Sequence, residues 1–265
     1  METATSNGRP SGPARDIPPI GSELTGCYKL DSTLQRIVGR LENPTPADQA
    51  RAAELSAREA RQREEEAQQA RAQLAGAMGK RYARCRLDNY AIEHNAQRPI
   101  VEALRDYAAR FPEVRERGAG VVLFGPPGTG KDHLLAGLAW EVFDKHRVAP
   151  MFAHGLDLFG DVRDRIGSDE QEGEIIARFG RAAVLVLSDP LPPRGALTDW
   201  QAGVLLRILD RRYRMMLPTW VSMNVANGAE ADERLGAQAV DRLKDGAVVG
   251  WCSWPSYRRV AEAAK

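Results

Sequence analysis

The sequence predicts an α/β fold: a parallel sheet covered by helices on both faces, with a phosphate-binding loop after one of its strands. Three observations predict it. From about residue 86 onward, short apolar runs alternate with amphipathic stretches of helical period. Residues 125–131 read GPPGTGK, between the apolar run 120–124 (GVVLF) and an amphipathic helix. A further apolar run, 183–187 (AVLVL), leads directly into Ser188 and Asp189. Strands separated by helices need crossover connections, which are right-handed and leave the sheet parallel and buried on both faces.

Taken in chain order, residues 1–19 are rich in Pro, Gly, Ser and Thr, too poor in large apolar side chains to repay ordering, and are expected to be a disordered tail. Leu34, Ile37, Val38 and Leu41 have the spacing of one short amphipathic helix, broken by Asn43-Pro44-Thr45-Pro46. Residues 47–84 are dominated by Ala, Arg, Glu and Gln, strong helix formers with few large apolar residues among them (Leu55, Leu74, Met78, Tyr82). So polar a helix reads as a solvated arm or a weak coiled coil, either a spacer or a partner-binding element. Beyond it a helix is expected over 133–143, with Leu134, Leu135, Leu138 and Val142 on one face. A strand over 148–153 and a helix around 156–166 follow. After 183–187 come a helix over 200–213 (Val204, Leu205, Ile208, Leu209) and strands over 219–223 and 247–252. The expected organisation is a 1–19 tail, a helical N-terminal region over 20–83, and a nucleotide-binding domain over 84–265.

The bulk composition excludes several classes. The chain has 265 residues, is 43% hydrophobic and 28% charged, and carries a net charge of +1, so no global basic field announces nucleic acid. Cys27, Cys85 and Cys252 form no CxxC pair, which fits neither a zinc site nor a disulfide framework. No apolar run approaches the roughly 18 residues of a membrane span, and the N-terminus lacks the pattern of a signal peptide, so a cytoplasmic protein is expected.

The loop carries the chemistry. Gly125, Gly128 and Gly130 permit backbone angles and close approach that side chains would block. With Pro126, Pro127 and Thr129 between them, successive N–H groups can cradle phosphate oxygens, and the following helix adds its positive end. Lys131 supplies a point charge to the outer phosphates, and Asp132 and His133 open the helix. The pattern points to ATP and Mg²⁺. The motif calls for Ser or Thr after the lysine to ligate the metal, and here the residue is Asp132. The strand 184–187 should end in two acids, the first holding the metal and the second polarising the attacking water. Here they are Ser188 and Asp189. Hydroxyl and carboxylate are thus exchanged between two positions flanking one ion, and Asp132 with Ser188 are expected to replace the usual pair at unchanged ligand charge. The alternative is that both positions have drifted and hydrolysis is slow or absent. Asp189 reads as the water-activating carboxylate or as a turn residue before Pro190. Asn224, at the end of strand 219–223, lies by the ligand crevice and could orient that water, or be a plain strand-end residue.

Over about residues 84–260 the chain resembles the AAA+ ATPases of the DnaC-type replicative helicase loaders and the related IstB-type transposition helpers. The resemblance rests on RLDNY (86–90), ALRDYAARF (103–111), GPPGTGKDHLLAGLA, and LTDWQAGVLLRILDRRYRMMLPTWVSMN. It extends through Arg234-Leu235-Gly236, Asp241-Arg242-Leu243 and Pro255-Ser256-Tyr257-Arg258. It implies a P-loop AAA+ domain with a minimal C-terminal lid, Asn224 as sensor 1, Arg242 as a finger acting in trans on a neighbour's nucleotide, and Arg258 as sensor 2 on a helix beginning at Trp254-Pro255. The implied partners are a replicative helicase or a transposase-like protein, single-stranded DNA, and further copies of the chain in an ATP-dependent homo-oligomer. For Arg242 a surface ion pair with Asp241 or Asp245 is the competing reading. Arg163, Arg165, Arg178 and Arg181 could meet DNA phosphates, but interleaved Asp161, Asp164, Asp169, Glu170 and Glu172 fit a solvated face better. Departures from the family pattern are Ser188, the run Pro190-Leu191-Pro192-Pro193, Gln238, and an unmatched N-terminal region. Three functions remain open: loader-like ATPase, transposition helper, and nucleotide-dependent binding module with little turnover.

Overall fold

The computed structural model describes residues 44–164 and 169–258. The expected tail, the helix around 34–41, Cys27 and Arg165 lie outside the described residues. The chain divides between Glu59 and Ala60 into two units. In the first, the described residues belong to α1 (Pro46–Tyr82), entered through a Thr45–Asp48 side-chain exchange that satisfies its first turn.

The second unit begins with the rest of α1. The helix is interrupted at Gly79, whose φ of 72° and ψ of 164° leave the helical region. Leu74 and Met78 are buried in the core, so this end of α1 is not the solvated arm that its composition suggests. α2 (Gln97–Ala109), α3 (Phe111–Glu116) and β1 (Val121–Phe124) follow. Next come α4 (Lys131–His146), β2 (Met151–His154), α5 (Gly155–Arg163) and α6 (Asp169–Arg181). β3 (Leu185–Ser188), α7 (Asp199–Arg214), β4 (Thr219–Met223), α8 (Gly228–Leu235), α9 (Ala237–Lys244) and β5 (Val248–Trp251) complete it.

The five strands form one parallel sheet in the order β2-β3-β4-β1-β5. Alternation along each strand divides its residues between two cores. Val121 and Leu123 of β1 face the core built with α2, α3 and α4, whereas Val122 and Phe124 face the one built with α5 to α9. A sheet buried on both faces explains why its strands read as continuous apolar runs. β2 starts three residues later than expected because Pro150, with no N–H, cannot join the ladder.

One buried charge ties the second layer together. Arg212 donates to Thr219 Oγ1 and to the carbonyls of Phe179, Ala182 and Pro218, joining the ends of α6 and α7 to the start of β4. Burial lowers its pKa to about 10. All its partners are neutral oxygens at loop and strand ends, where carbonyls would otherwise be buried unmet.

Candidate functional site

β1, β3 and β4 end side by side, and the loop 125–130 lies over their carboxyl edge. Gly125, Gly128 and Gly130 have φ values of 142°, 86° and 85°. Gly128 is forced twice over: a Cβ there would lie 2.0 Å from Ser256 Oγ. Two of the loop's carbonyls are tied back to residues outside it. Thr129 O accepts from Tyr90 OH (3.1 Å) and Trp254 Nε1 (2.8 Å), and Gly128 O accepts from Tyr257 N (2.9 Å). With those two carbonyls tied back, and with no side chain capping α4 at Gly130, the first-turn N–H groups remain for an anion.

Lys131 is 5% exposed and donates to the carbonyls of Gly125 and Pro126 and to Asn224 Oδ1, each at 2.8 Å. Burial lowers its pKa. Asn224 in turn donates to Asp189 Oδ2. Asp189 has a left-handed φ of 49°, and its Oδ1 is buried without a partner. Backbone strain and an unmet carboxylate oxygen are features that cluster at functional sites. Burial, then the nearby charge of Asp132, raise the Asp189 pKa.

The metal half departs from the usual pattern in a coordinated way. Asp132 Oδ1 accepts from Ser188 Oγ at 2.9 Å and from Ser222 Oγ at 2.6 Å. Oδ2 faces Tyr82 OH at 3.4 Å, and the Tyr82 pKa is raised by burial and then by Asp132. The Asp132 carboxylate, the Ser188 hydroxyl and the orphaned Asp189 oxygen are hard oxygen donors suited to Mg²⁺. Among the described residues no group of three or more His, Cys, Asp or Glu gathers.

A cavity of about 590 Å³ opens beside this cluster, with Arg81, Tyr82, Asn89, His154 and Arg258 in its wall. That volume is in the range of small-molecule sites. His133 also lines it, but its Nε2 is engaged with Arg86 O (3.0 Å) and Asn89 Oδ1 (2.9 Å). Burial lowers the His133 pKa.

Two expectations need correction. No helix starts at Trp254-Pro255: residues 254–258 are irregular, because Tyr257 N bonds the loop carbonyl of Gly128 and its hydroxyl is held by Gln97 and Ala91. Arg258 reaches the cavity from that segment, and a lid beyond it lies outside the described residues. Arg242 forms an ion pair, as the competing reading has it, but with Asp210 at 3.2 Å rather than with Asp241 or Asp245. Arg234, in the same sequence box, is committed within its own chain to Gly195 O, Pro192 O and Asn224 O. On the α5–α6 surface, Arg178 pairs with Asp161 and Arg163 lies over Trp200.

Sequence reasoning missed Ser222, Tyr82 and the Tyr90–Trp254–Tyr257 group. Ser222 had a signal: a hydroxyl in an otherwise apolar strand, two residues before Asn224 and so on its face. Tyr82 and the aromatic group had none, since only tertiary packing brings them to the loop.

The parallel sheet with the phosphate-type loop after β1 is the fold of a P-loop AAA+ domain. No family model matches the chain. It is 28% identical over 183 residues to the replicative helicase loader DnaC of Buchnera aphidicola subsp. Acyrthosiphon pisum, covering 67% of this chain and 71% of that protein. To the Escherichia coli K12 loader DnaC it is 26% identical over 179 residues, 66% of this chain and 69% of that one. The crystal structure of a DnaC helicase loader shares the fold with a TM-score of 0.59 at 24% identity, over 65% of this chain and 99% of that one. The chain is thus similar in sequence to the DnaC-type AAA+ helicase loaders and shares their fold. Among the described residues no helix is long and apolar enough to cross a membrane.

Proposed function

We propose that the protein is a helicase-loader-like ATPase that uses ATP binding and hydrolysis to assemble or deliver a partner on single-stranded DNA. The observation that carries the hydrolytic part is the unbroken side-chain chain Lys131–Asn224–Asp189 under the loop. In this reading the loop N–H groups, Lys131 and Arg258 bind the triphosphate. Asp132, with Ser188, would hold Mg²⁺, which supplies charge neutralisation at the β- and γ-phosphates. Asp189 accepts the proton of the attacking water and Asn224 orients it. Arrival of phosphate gives Lys131 a charged partner in place of two carbonyls. The helicase partner is supported by the similarity to the DnaC loaders. Ser188, where an acid is usual, favours a second reading, a nucleotide-dependent binding module with little turnover. An IstB-type transposition helper shares the same site chemistry.

Steady-state ATP turnover of the full chain, with and without single-stranded DNA and with the replicative helicase of the same genome, tests the proposal. Turnover that rises with DNA and a helicase complex that needs ATP support it. ATP-dependent partner binding without turnover would establish the module instead.

A further inference from the structure

Ser222 has no role in the function proposed above, yet its hydroxyl touches both acidic residues of the site, the side chain of Asp132 and the backbone of Asp189. It is 1% exposed and stands on β4, the central strand of the sheet. It is the register partner of Ser188 on β3, so two hydroxyls stand side by side in one row at the carboxyl edge. Both donate to the same oxygen, Asp132 Oδ1, Ser222 at the shorter distance of 2.6 Å. Ser222 Oγ also accepts from Asp189 N at 3.2 Å, and Ser222 O accepts from that N–H at 3.0 Å.

We propose that Ser222 is the positioning residue of the metal site: its hydroxyl bridges Asp132 and the Asp189 backbone, fixing the metal-holding and the water-activating carboxylates in one geometry. This rests on the reading that Asp132 holds Mg²⁺. A carboxylate on a first-turn helix position has free rotamers, and one hydroxyl from a neighbouring strand restrains it weakly. Two donors on one oxygen set the carboxylate's rotation, while Oδ2 has only the longer contact from Tyr82 OH at 3.4 Å. The same hydroxyl adds a 3.2 Å bond to the 3.0 Å backbone bond that Asp189 N makes to Ser222 O, at a residue whose conformation is left-handed. Outer partners of this kind commonly change metal affinity by about 10–100-fold when removed.

The test is the affinity of the full chain for a fluorescent ATP analogue, measured in EDTA and in a Mg²⁺ titration, for wild type, Ser222→Ala, Ser222→Thr and Asp132→Ala. Ser222→Ala should bind as wild type in EDTA, because Lys131 and the loop N–H groups are untouched. Its Mg²⁺ half-saturation should rise about tenfold. Ser222→Thr, which keeps the hydroxyl, should restore it. A Ser222→Ala protein with the wild-type Mg²⁺ response overturns the proposal, and so does one that loses affinity equally with and without Mg²⁺. If Asp132→Ala itself keeps the wild-type Mg²⁺ response, the parent reading of Asp132 falls, whatever Ser222 does. If only Asp132→Ala loses the response, the Ser222 role alone is wrong.

Discussion

Ser188 donates its hydroxyl to Asp132 across 2.9 Å, so the two positions at which this chain departs from usual phosphate-loop chemistry are in direct contact. An exchange of hydroxyl and carboxylate between two sides of one ion is the reading of that contact that can be tested.

The exchange predicts a specific coupling. Asp132→Ser and Ser188→Asp should each lower ATP turnover by about 10–100-fold, the first by removing the carboxylate and the second by setting two like charges together. The double variant should recover most of the loss, since it restores one acid and one hydroxyl. Steady-state turnover of all four proteins measures the coupling, and additive losses would mean that the two residues do not share an ion.

Asp189→Asn should separate binding from hydrolysis. It keeps the side-chain volume and removes the base, so ATP affinity should hold while turnover falls by about 10²–10⁴-fold. It should also stabilise the fold at neutral pH. The folded-state pKa of Asp189 is raised by burial and by Asp132. A raised carboxyl contributes stability that is fully present below its unfolded pKa of about 3.9 and is lost as pH rises through the folded value. At pH 7 the wild type carries that loss and the amide does not. Thermal unfolding should therefore show a higher Tm for the variant at pH 7, with the gap closing toward pH 4.

Most of the sheet was legible because a strand buried on both faces has only one composition open to it. β4 appears over 219–223 as its apolar run predicts, and the loop was legible because its glycines are dictated by backbone geometry. What was not legible depends on which faces meet. α1 is polar along its length, and nothing local distinguishes Leu55, which is 54% exposed, from Met78, which is 1% exposed. The supposed helix at Trp254 failed for a related reason. Pro255 suits a helix start, but the backbone of Tyr257 bonds Gly128, more than a hundred residues away.

That difference within α1 sets a stability prediction. Leu74→Ala and Met78→Ala should each cost about 2–4 kcal/mol, because both side chains are buried against the core. Leu55→Ala should fall within about 0.5 kcal/mol of wild type. Urea unfolding of the three variants gives the comparison. If Met78→Ala proved as mild as Leu55→Ala, this end of the helix would not be part of the second unit's core.

Arg242 is the last position with a directional expectation. Within its own chain it has a half-exposed ion pair with Asp210 and no route to the cavity, so Arg242→Ala should change stability by less than about 1 kcal/mol and leave ATP affinity intact. If it instead serves a neighbour's nucleotide, turnover should fall by about 10³-fold or more, as when a transition-state charge loses its arginine. Mixing separates this from a local effect. Arg242→Ala subunits have an intact site and no finger, whereas Asp189→Asn subunits have a finger and no base. Each is inactive alone, but an interface that joins the Asp189→Asn finger to the Arg242→Ala site is complete. Turnover that appears on mixing and grows with the concentration of the second variant establishes action in trans. Arg234→Ala provides the contrast. It should release the 190–195 loop from Asn224, lower Tm, and show no rescue by either partner, because its bonds lie within one chain.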